Sequence, residues 1–271
     1  MKTKNNHLIV VKIGGSTLGQ HDTTLTDLVE LQKKGFAIVV IHGGGKIITE
    51  WLGKQGTPTR FVQGERVTDE VGLQVATAVL SGIVNKELVA KICALGGKAI
   101  GISGVDGLLL QGKIKNPDLG YVGVVHNVNI DILDTLLKAG YLPVVSSIGL
   151  NIVENPDSNP LTLNINADIA AGEIAAALGA EKLIYLTDIA GICDKTGQVI
   201  SQLNSHESEE LINSGVAISG MIPKIRSCIR ALDAVELTRI IDGRRSHALL
   251  NEIYKTEGGT TIYKEKQPEV S

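Results

Sequence analysis

Residues 8–16 read LIVVKIGGS, an apolar run that passes through a lysine into two glycines and a serine. A short run of this kind, rich in Val and Ile, is typical of a strand that is buried on both faces. Such strands occur in parallel sheets that carry helices on both sides. The run Leu8–Ile13 therefore predicts a central strand of an α/β sheet.

Further apolar runs alternate with helical patterns along the rest of the chain. The predicted strands are Leu8–Ile13, Phe36–Ile41, Lys98–Ser103, Tyr141–Ile148, Leu183–Thr187 and Leu237–Asp242. The predicted helices are Thr23–Lys34, Asp69–Ala94, Asp131–Ala139, Asp168–Leu178, Ser205–Asn213 and Met221–Ala234. The second of these helices is interrupted at Ser81-Gly82 and could be two helices. The alternation predicts a three-layer αβα sandwich with a mostly parallel sheet.

Two stretches break this alternation and predict antiparallel hairpins. They are Thr59–Thr68, with Gly64 at its centre, and the longer Leu108–Ile130. Hairpins on an α/β sheet often cover a ligand. The turn-rich segment Asn155–Asn159 is the clearest joint, and we place a lobe boundary at Gly179. The expected lobes are residues 1–179 and residues 180–271.

Composition excludes several classes of protein. Apolar residues make up 43% of the 271 residues and aromatic residues 3%. The net charge is −3, and no basic stripe is present. This charge distribution disfavours nucleic acid and membrane surfaces as partners. Cys93, Cys193 and Cys228 show no CxxC spacing, so neither a zinc site nor a disulfide framework is indicated. The polar start Met1–His7 precedes a run too short for a signal peptide. We expect a cytoplasmic protein.

The first anion-binding motif surrounds Lys12, which is followed by Gly14 and Gly15. It lies at the carboxyl end of the first strand, the edge at which open parallel sheets bind ligands. A cation beside bare backbone N–H groups suits a phosphate. A lysine at a sheet edge before an ordinary turn is the alternative, and this motif alone does not separate the two.

A second glycine-rich motif, HGGGK at residues 42–46, directly follows the second strand and opens a helix. Gly44 and Gly45 allow a ligand to approach the backbone, and a helix start attracts anions. A glycine turn used only for packing is the alternative. Neither GxxxxGK[ST] nor GxGxxG occurs, which disfavours a P-loop and a Rossmann dehydrogenase. We expect His42 to be a structural histidine rather than a catalytic base.

Polar residues mark the exits of other predicted elements. Arg66, in GERVT at residues 64–68, offers a planar fork that matches a carboxylate, although a solvated surface arginine is the usual outcome. In NINAD, at residues 164–168, Asn164 and Asn166 point the same way. Asp168 could cap the following helix or hold lysines.

The C-terminal half supplies a second lysine and a strand-end loop. GMIPK opens a helix with Lys224, and TDIAG, from Thr187 through Asp188 to Gly191, suits the ribose or phosphates of a nucleotide. Phosphoryl transfer requires two anions to be positioned in line and the charge of the migrating group to be neutralised. Two anions at about 4 Å repel by roughly 4 kcal/mol at an effective dielectric near 20. We predict that Lys12 and Lys224 converge on the terminal phosphate of a nucleotide.

In this order and spacing, the motifs resemble the amino acid kinase family over nearly the whole chain. The matching segments are KIGG, GERVT, GYLPVVSSIG, NINAD, LTDIAGI, GMIPK and GGTTIY. The resemblance implies a central, mainly parallel eight-stranded sheet between helices and a homodimer. It also implies ATP-dependent phosphorylation of the side-chain carboxylate of N-acetyl-L-glutamate in arginine biosynthesis. Mg²⁺ would bridge the ATP phosphates, largely without a cage of carboxylates.

The resemblance also implies roles for individual residues. Lys12 and Lys224 would stabilise the transition state and Asp168 would orient them, while Gly15 and Gly45 would donate hydrogen bonds to the migrating phosphoryl group. Acetylglutamate would contact Gly44, Gly45, Arg66, Asn164 and Asn166, with its α-carboxylate on Arg66. The nucleotide and its phosphates would contact Gly14, Gly15, Thr187, Asp188, Gly191, Val216 and Ile218.

The sequence leaves alternatives open for the regulation of the protein and for its substrate. Arginine-inhibited members of the family carry an N-terminal helix that joins dimers into hexamers, and here about six residues precede the first strand, so we expect a dimer. His247–Glu252 retains part of the pattern around the arginine site, but Glu257–Thr260 departs from it, which puts arginine feedback in doubt. A carrier-linked aminoadipate or glutamate kinase and a non-catalytic amino acid sensor are the rival functions.

Overall fold

The computed structural model describes residues 7–14, 23–62, 65–153, 160–217 and 220–264. Strands within these ranges are β1 (Leu8–Ile13), β2 (Ala37–His42), β3 (Phe61–Val62), β4 (Glu65–Arg66), β5 (Ala99–Ser103), β6 (Leu110–Ile114), β7 (Val122–Val128), β8 (Leu142–Ser146), β9 (Ile148–Asn151), β10 (Thr162–Ile165), β11 (Lys182–Thr187), β12 (Gln202–Asn204), β13 (Leu237–Asp242) and β14 (Thr260–Tyr263). Helices are α1 (Thr24–Lys33), α2 (Gly45–Lys54), α3 (Glu70–Thr77), α4 (Asn85–Ala94), α5 (Asp131–Lys138), α6 (Ala167–Leu178), α7 (Ser205–Asn213), α8 (Ile222–Ala231) and α9 (Ala248–Tyr254).

The main sheet of the described residues has eight strands in the order β12-β14-β13-β11-β1-β2-β8-β5. Every neighbouring pair is parallel except β13 with β14. The expectation of a mainly parallel eight-stranded sheet is therefore confirmed. Because β1, β2 and β11 are parallel neighbours, their carboxyl ends lie side by side at one edge.

Helices cover both faces of this sheet, as the alternation of strands and helices predicted. The side chain of Val10 packs into a core shared with α5, α6 and α8. Its neighbour Val11 packs into a second core shared with α1, α4 and α9. Successive side chains of a strand point to opposite faces, so a continuous apolar run is needed to fill both cores.

The predicted strand Tyr141–Ile148 is wrong in one respect, because it is two strands. β8 ends at Ser146 in the main sheet, and β9 starts at Ile148 and pairs with β6 and β10. Those two strands and β7 form a small closed barrel with β9. Both strands are buried, so the apolar run continues across the break and gives no sign of the change of sheet.

The predicted helix Asp69–Ala94 is one continuous helix with a π-helical turn at Ala78–Val84, between α3 and α4. The side-chain carboxylate of Asp69 caps its start by accepting from the amide of Gly72. The suspected interruption at Ser81-Gly82 is thus a change of helical pitch rather than a break. Turns of this type occur frequently at functional sites.

The two hairpins form as expected. β3 pairs with β4, and β6 with β7, both antiparallel. Gly64, at the centre of the first hairpin, and the joint Asn155–Asn159 lie outside the described residues. Within the ranges given above, no helix combines the length and the apolarity needed to cross a membrane.

Candidate active site

Lys12, Asp168 and Lys224 meet at the carboxyl edge of the main sheet. Nζ of Lys12 lies 2.8 Å from Oδ1 of Asp168, and Nζ of Lys224 donates to Oδ2 at 2.9 Å. The exposed fractions of the three side chains are 8% for Lys12, 8% for Asp168 and 18% for Lys224. Sequence reasoning predicted that the two lysines converge, and the structure confirms that they share one carboxylate.

The start of α6 frees the Asp168 carboxylate for this role. Asn166 caps the helix, because its Oδ1 accepts from the backbone amides of Asp168 and Ile169 at 2.8 and 3.3 Å. The alternative that Asp168 itself is the cap is therefore wrong. Burial acts to raise the pKa of Asp168, but the ammonium groups of Lys12 and Lys224 outweigh it and hold that pKa below its usual range. Asp168 is thus ionised at neutral pH.

A cleft of about 230 Å³ opens beside this ion triad. It holds the predicted catalytic residues Lys12 and Asp168 and all five residues predicted to bind the acceptor substrate. The lining residues are Lys12, Gly43, Gly44, Gly45, Ile48, Phe61, Glu65, Arg66, Leu80, Val122, Ser147, Asn164, Ile165, Asn166, Ala167 and Asp168. The segments therefore come together although they are separated along the chain by more than a hundred residues.

Arg66 lines this cleft and is not a solvated surface arginine, because only 9% of the residue is exposed. Its Nη2 donates to the carbonyl of Gly45 and to Oγ1 of Thr49, each at 2.8 Å. The ring of Phe61 lies 4.8 Å from the guanidinium carbon. These contacts fix the plane of the guanidinium at the start of α2.

A glycine fits best at position 44, because the second glycine-rich motif packs closely against the π-helical turn there. A Cβ at Gly44 would lie 2.7 Å from Cδ2 of Leu80 and 3.3 Å from a methyl of Val84. Gly44 is the residue before α2, and no side chain among the described residues caps that helix. Its first N–H groups thus remain available to an anion in the cleft.

His42 is a structural histidine, as expected. It is fully buried, its Nδ1 contacts the carbonyl of Gly43 at 3.1 Å, and its Nε2 accepts from Nδ2 of Asn85 at 3.1 Å. Burial lowers the pKa of His42 to about 4, and the charges of Lys12 and Lys86 act in the same direction. A neutral, fully bonded imidazole of this kind is a poor base.

Five of the residues predicted for the nucleotide, Gly14, Thr187, Asp188, Gly191 and Val216, are described, and none of them lines this cleft. Thr187 is the last residue of β11, next to the end of β1, where the amide of Gly14 donates to the carbonyl of Leu186. Asp188 is exposed, Gly191 is buried near Thr260, and Val216 lines a separate, open cavity of about 670 Å³. These residues do not share one described cavity. Gly15 and Ile218 fall outside the described residues.

Sequence reasoning missed several residues of the site. Ser147, Ile48, Leu80 and Val122 line the cleft, and each lies in an apolar or helical stretch that gave no chemical signal. Phe61 is 55% exposed and lies beside Arg66, and both facts are known only from the structure. Across the described residues, no three His, Cys, Asp or Glu side chains are grouped so as to hold a metal ion.

Comparison with known proteins extends these findings. Residues 7–242 match the model of the amino acid kinase family. A Dehalococcoides mccartyi (strain CBDB1) protein named acetylglutamate kinase is 43% identical over 262 residues, covering 97% of this chain and 96% of its own. A Nostoc sp. (strain PCC 7120) protein of that name is 46% identical over 94% of this chain and 86% of its own. The crystal structure of smu.665 from Streptococcus mutans UA159 superposes with a TM-score of 0.82 at 29% identity, over 95% of this chain and 99% of that one.

Proposed function

The chain belongs to the amino acid kinase family, and we propose that it phosphorylates the side-chain carboxylate of N-acetyl-L-glutamate with ATP, for arginine biosynthesis. The product is the acyl phosphate N-acetyl-L-glutamyl 5-phosphate. The observation that carries the proposal is the pair of lysines on Asp168, beside a cleft that holds an arginine and two asparagines. Relatives named acetylglutamate kinase align over nearly the full chain and give the acceptor.

The reaction needs charge compensation more than proton transfer. The acceptor carboxylate is ionised at neutral pH and attacks the γ-phosphorus directly, while the bond to the bridging oxygen breaks and ADP leaves. Lys12 and Lys224 flank the migrating group and neutralise its negative charge. Asp168 orients both ammonium groups from 2.8 and 2.9 Å. Mg²⁺, bound through the ATP phosphates, would add positive charge on the nucleotide side.

The cleft suits an acylated amino acid dicarboxylate. Arg66 takes the α-carboxylate, exchanging its contacts to Gly45 and Thr49 for a charged partner. Asn164 and Asn166 contribute amide groups, and the amides of Gly44 and Gly45 face the reacting end. The glutamate side chain then extends toward Lys12 and Asp168 on the far side of the cleft.

The nucleotide lies on the other side of the triad, in a C-terminal lobe of residues 180–271. Gly14, Gly15, Thr187, Asp188, Gly191, Val216 and Ile218 are its proposed contacts. The acceptor cleft lies entirely in residues before Gly179, which supports an N-terminal lobe for the acceptor. Because the reaction consumes ATP, we place it in the cytoplasm.

The N-terminal lobe also forms the proposed homodimer contact. Val71 and Ile83 lie on the helix that runs from α3 through the π-helical turn to α4, and Leu95 directly follows it; these residues expose 43%, 37% and 43% of their surface. Gly82 is exposed in the same turn, and a Cβ there would meet no described atom within 4 Å. A glycine with no steric need inside its own chain suits the close approach of a second helix, and the occupant is a second copy of this chain.

A hydroxylamine trap for acyl phosphate tests the activity. The purified chain is assayed with ATP and Mg²⁺ and with acetylglutamate, glutamate, aspartate or aminoadipate as acceptor. We expect hydroxamate with acetylglutamate above all, and a parallel series with arginine measures feedback. Turnover only with another acceptor would refute the proposed substrate.

Two variants separate an enzyme from an amino acid sensor. Lys12→Ala and Lys224→Ala should each lose on the order of 10²-fold in kcat, comparable to the loss of one oxyanion donor. Lys138→Ala, which removes an exposed lysine paired with Asp134 on α5, is the matched control and should keep wild-type turnover. Acetylglutamate binding without turnover in the wild-type chain would favour the sensor.

A further inference from the structure

Two buried hydroxyl groups converge on the main chain of Asp168. The phenol of Tyr185, on β11, donates to the Asp168 carbonyl oxygen at 3.0 Å. The hydroxyl of Ser227, on α8, donates to the same oxygen at 2.5 Å. Tyr185 and Ser227 also contact each other through their hydroxyl oxygens. The residues are 0% and 2% exposed, so no bulk water competes for these groups.

The hydroxyl protons are fewer than the contacts. Burial raises the pKa of Tyr185 well above its usual range, so its phenol remains protonated. Tyr185 and Ser227 thus share two protons among three contacts. In every arrangement that uses both protons within the trio, the Asp168 carbonyl accepts at least one of them. The two hydroxyls are therefore partly redundant, and each can hold the carbonyl when the other is lost.

The same helix α8 also carries Lys224. Residues three apart on a helix lie on one face, so Lys224 and Ser227 both point toward α6. Lys224 reaches the side chain of Asp168, and Ser227 reaches its main chain. Gly172 permits this approach, because a Cβ at that position would collide with Oγ of Ser227. Helix α8 is thus attached to Asp168 at two points, one turn apart.

We propose that Tyr185 and Ser227 are positioning residues, which hold the Asp168 backbone so that its carboxylate presents Lys12 and Lys224 to the migrating phosphoryl group. The inference rests on the proposed kinase function. Neither hydroxyl touches the substrate, and both act through Asp168. A displacement of about 1 Å at a reacting group can cost on the order of 10²-fold in rate, which is why a backbone anchor matters there.

The test compares two double variants that each remove two buried hydroxyls. Tyr185→Phe/Ser227→Ala removes the proposed anchor. Ser208→Ala/Thr238→Val is the matched control, since both hydroxyls are fully buried and donate to backbone carbonyls away from Asp168, at 2.8 and 3.0 Å. Measurements are kcat, the KM for ATP and for acetylglutamate, and the melting temperature.

We expect the anchor double variant to lose at least tenfold in kcat with both KM values within twofold of wild type. Each single variant should lose only about threefold, in line with one neutral hydrogen bond and a redundant partner. The control double variant should melt as low as the anchor variant yet keep kcat within twofold. If the double variant does not fold, the kcat values of the two single variants are compared with the wild type instead.

A kcat within twofold of wild type in a folded anchor variant would overturn the inference, and so would an equal loss in the control. Absence of wild-type turnover would instead refute the proposed function. Crystal structures of the variants then test, independently of activity, whether the two hydroxyls hold Asp168 in place. An Nζ of Lys224 that stays 2.9 Å from Oδ2 of Asp168 in the anchor double variant would overturn the inference, and a wider separation would support it.

Discussion

Replacement of Asp168 by asparagine should turn a balanced site into one with two unpaired cations. The amide has nearly the shape of the carboxylate, so packing is preserved while the charge is removed. The ammonium groups of Lys12 and Lys224 would then face each other across a neutral side chain, with only 8% and 18% of those side chains exposed. Lys224 has more access to solvent and can relax outward, whereas Lys12 cannot.

The expected cost follows from the burial of the pairs. Removing one partner of a buried ion pair destabilises a protein by about 3–5 kcal/mol, because the remaining charge has no compensation. For a chain of this size, each kcal/mol lowers the melting temperature by about 2–4 °C. The Asp168→Asn variant should therefore melt about 6–20 °C below the wild type, and kcat should fall on the order of 10²-fold because the lysines lose their orientation.

Phosphate provides the specific readout. Two unpaired ammonium groups form a better anion site than a pair already neutralised in part, so inorganic phosphate should recover more of the melting temperature in the variant than in the wild type. At a concentration 100 times its Kd, a ligand adds about 2.7 kcal/mol of stability. Differential scanning calorimetry at pH 7, with and without phosphate, measures the effect. Asp134→Asn, which removes an exposed carboxylate 4.0 Å from Lys138, is the control.

The reasoning is refuted if Asp168→Asn melts with the Asp134→Asn control, since the triad would then contribute no stability. It is also refuted if phosphate stabilises the variant no more than the wild type, because the lysines would not have formed an anion site.

Three further predictions use other parts of the molecule. Arg66→Lys should raise the KM for acetylglutamate about tenfold and leave the KM for ATP unchanged in steady-state kinetics, because an ammonium cannot form the bidentate contact; equal changes in both KM values would contradict the assignment. Ile83→Asp should convert a dimer to a monomer in size-exclusion chromatography with light scattering, and an unchanged mass would place the contact elsewhere. Burial lowers the pKa of His42 from 6.5 to about 4, so its contribution to stability is complete above pH 6.5 and is lost as the pH falls toward 4. Between pH 7 and pH 5 the free energy of unfolding measured in urea should therefore fall by about 2 kcal/mol. The variant His42→Asn should not show this loss.

The sheet was predictable because its strands are buried on both faces. Leu8–Ile13 and Leu237–Asp242 are found at the predicted bounds, since only a continuous apolar run can fill two cores at once. The triad was predictable for a related reason. A lysine at a strand end and a lysine and an aspartate at helix starts can meet if the strands are parallel, because parallel strands bring their carboxyl ends to one edge.

Other parts carry no local signal. β10, β12 and β14 are three or four residues long, and α9 begins at a left-handed His247, so neither period nor cap identifies them. The break at Ser147 depends on which strands are available to pair with β9. Tyr185 and Ser227 lie in ordinary strand and helix patterns, and only the fold shows that they share a carbonyl.

The triad also explains how two buried lysines can be assembled before a nucleotide arrives. Two ammonium groups held near one point repel, and Asp168 supplies the charge that lets both remain in place. Because one carboxylate opposes two cations, the trio keeps a net charge of +1, which favours an incoming phosphate. As the γ-phosphoryl group enters between them, each lysine can turn toward it without leaving Asp168, so little reorganisation is needed at the moment of transfer. A site with two carboxylates would bind the lysines equally well but would repel the nucleotide, and a site with none would bring the two ammonium groups together only at the cost of their repulsion, until an anion binds between them.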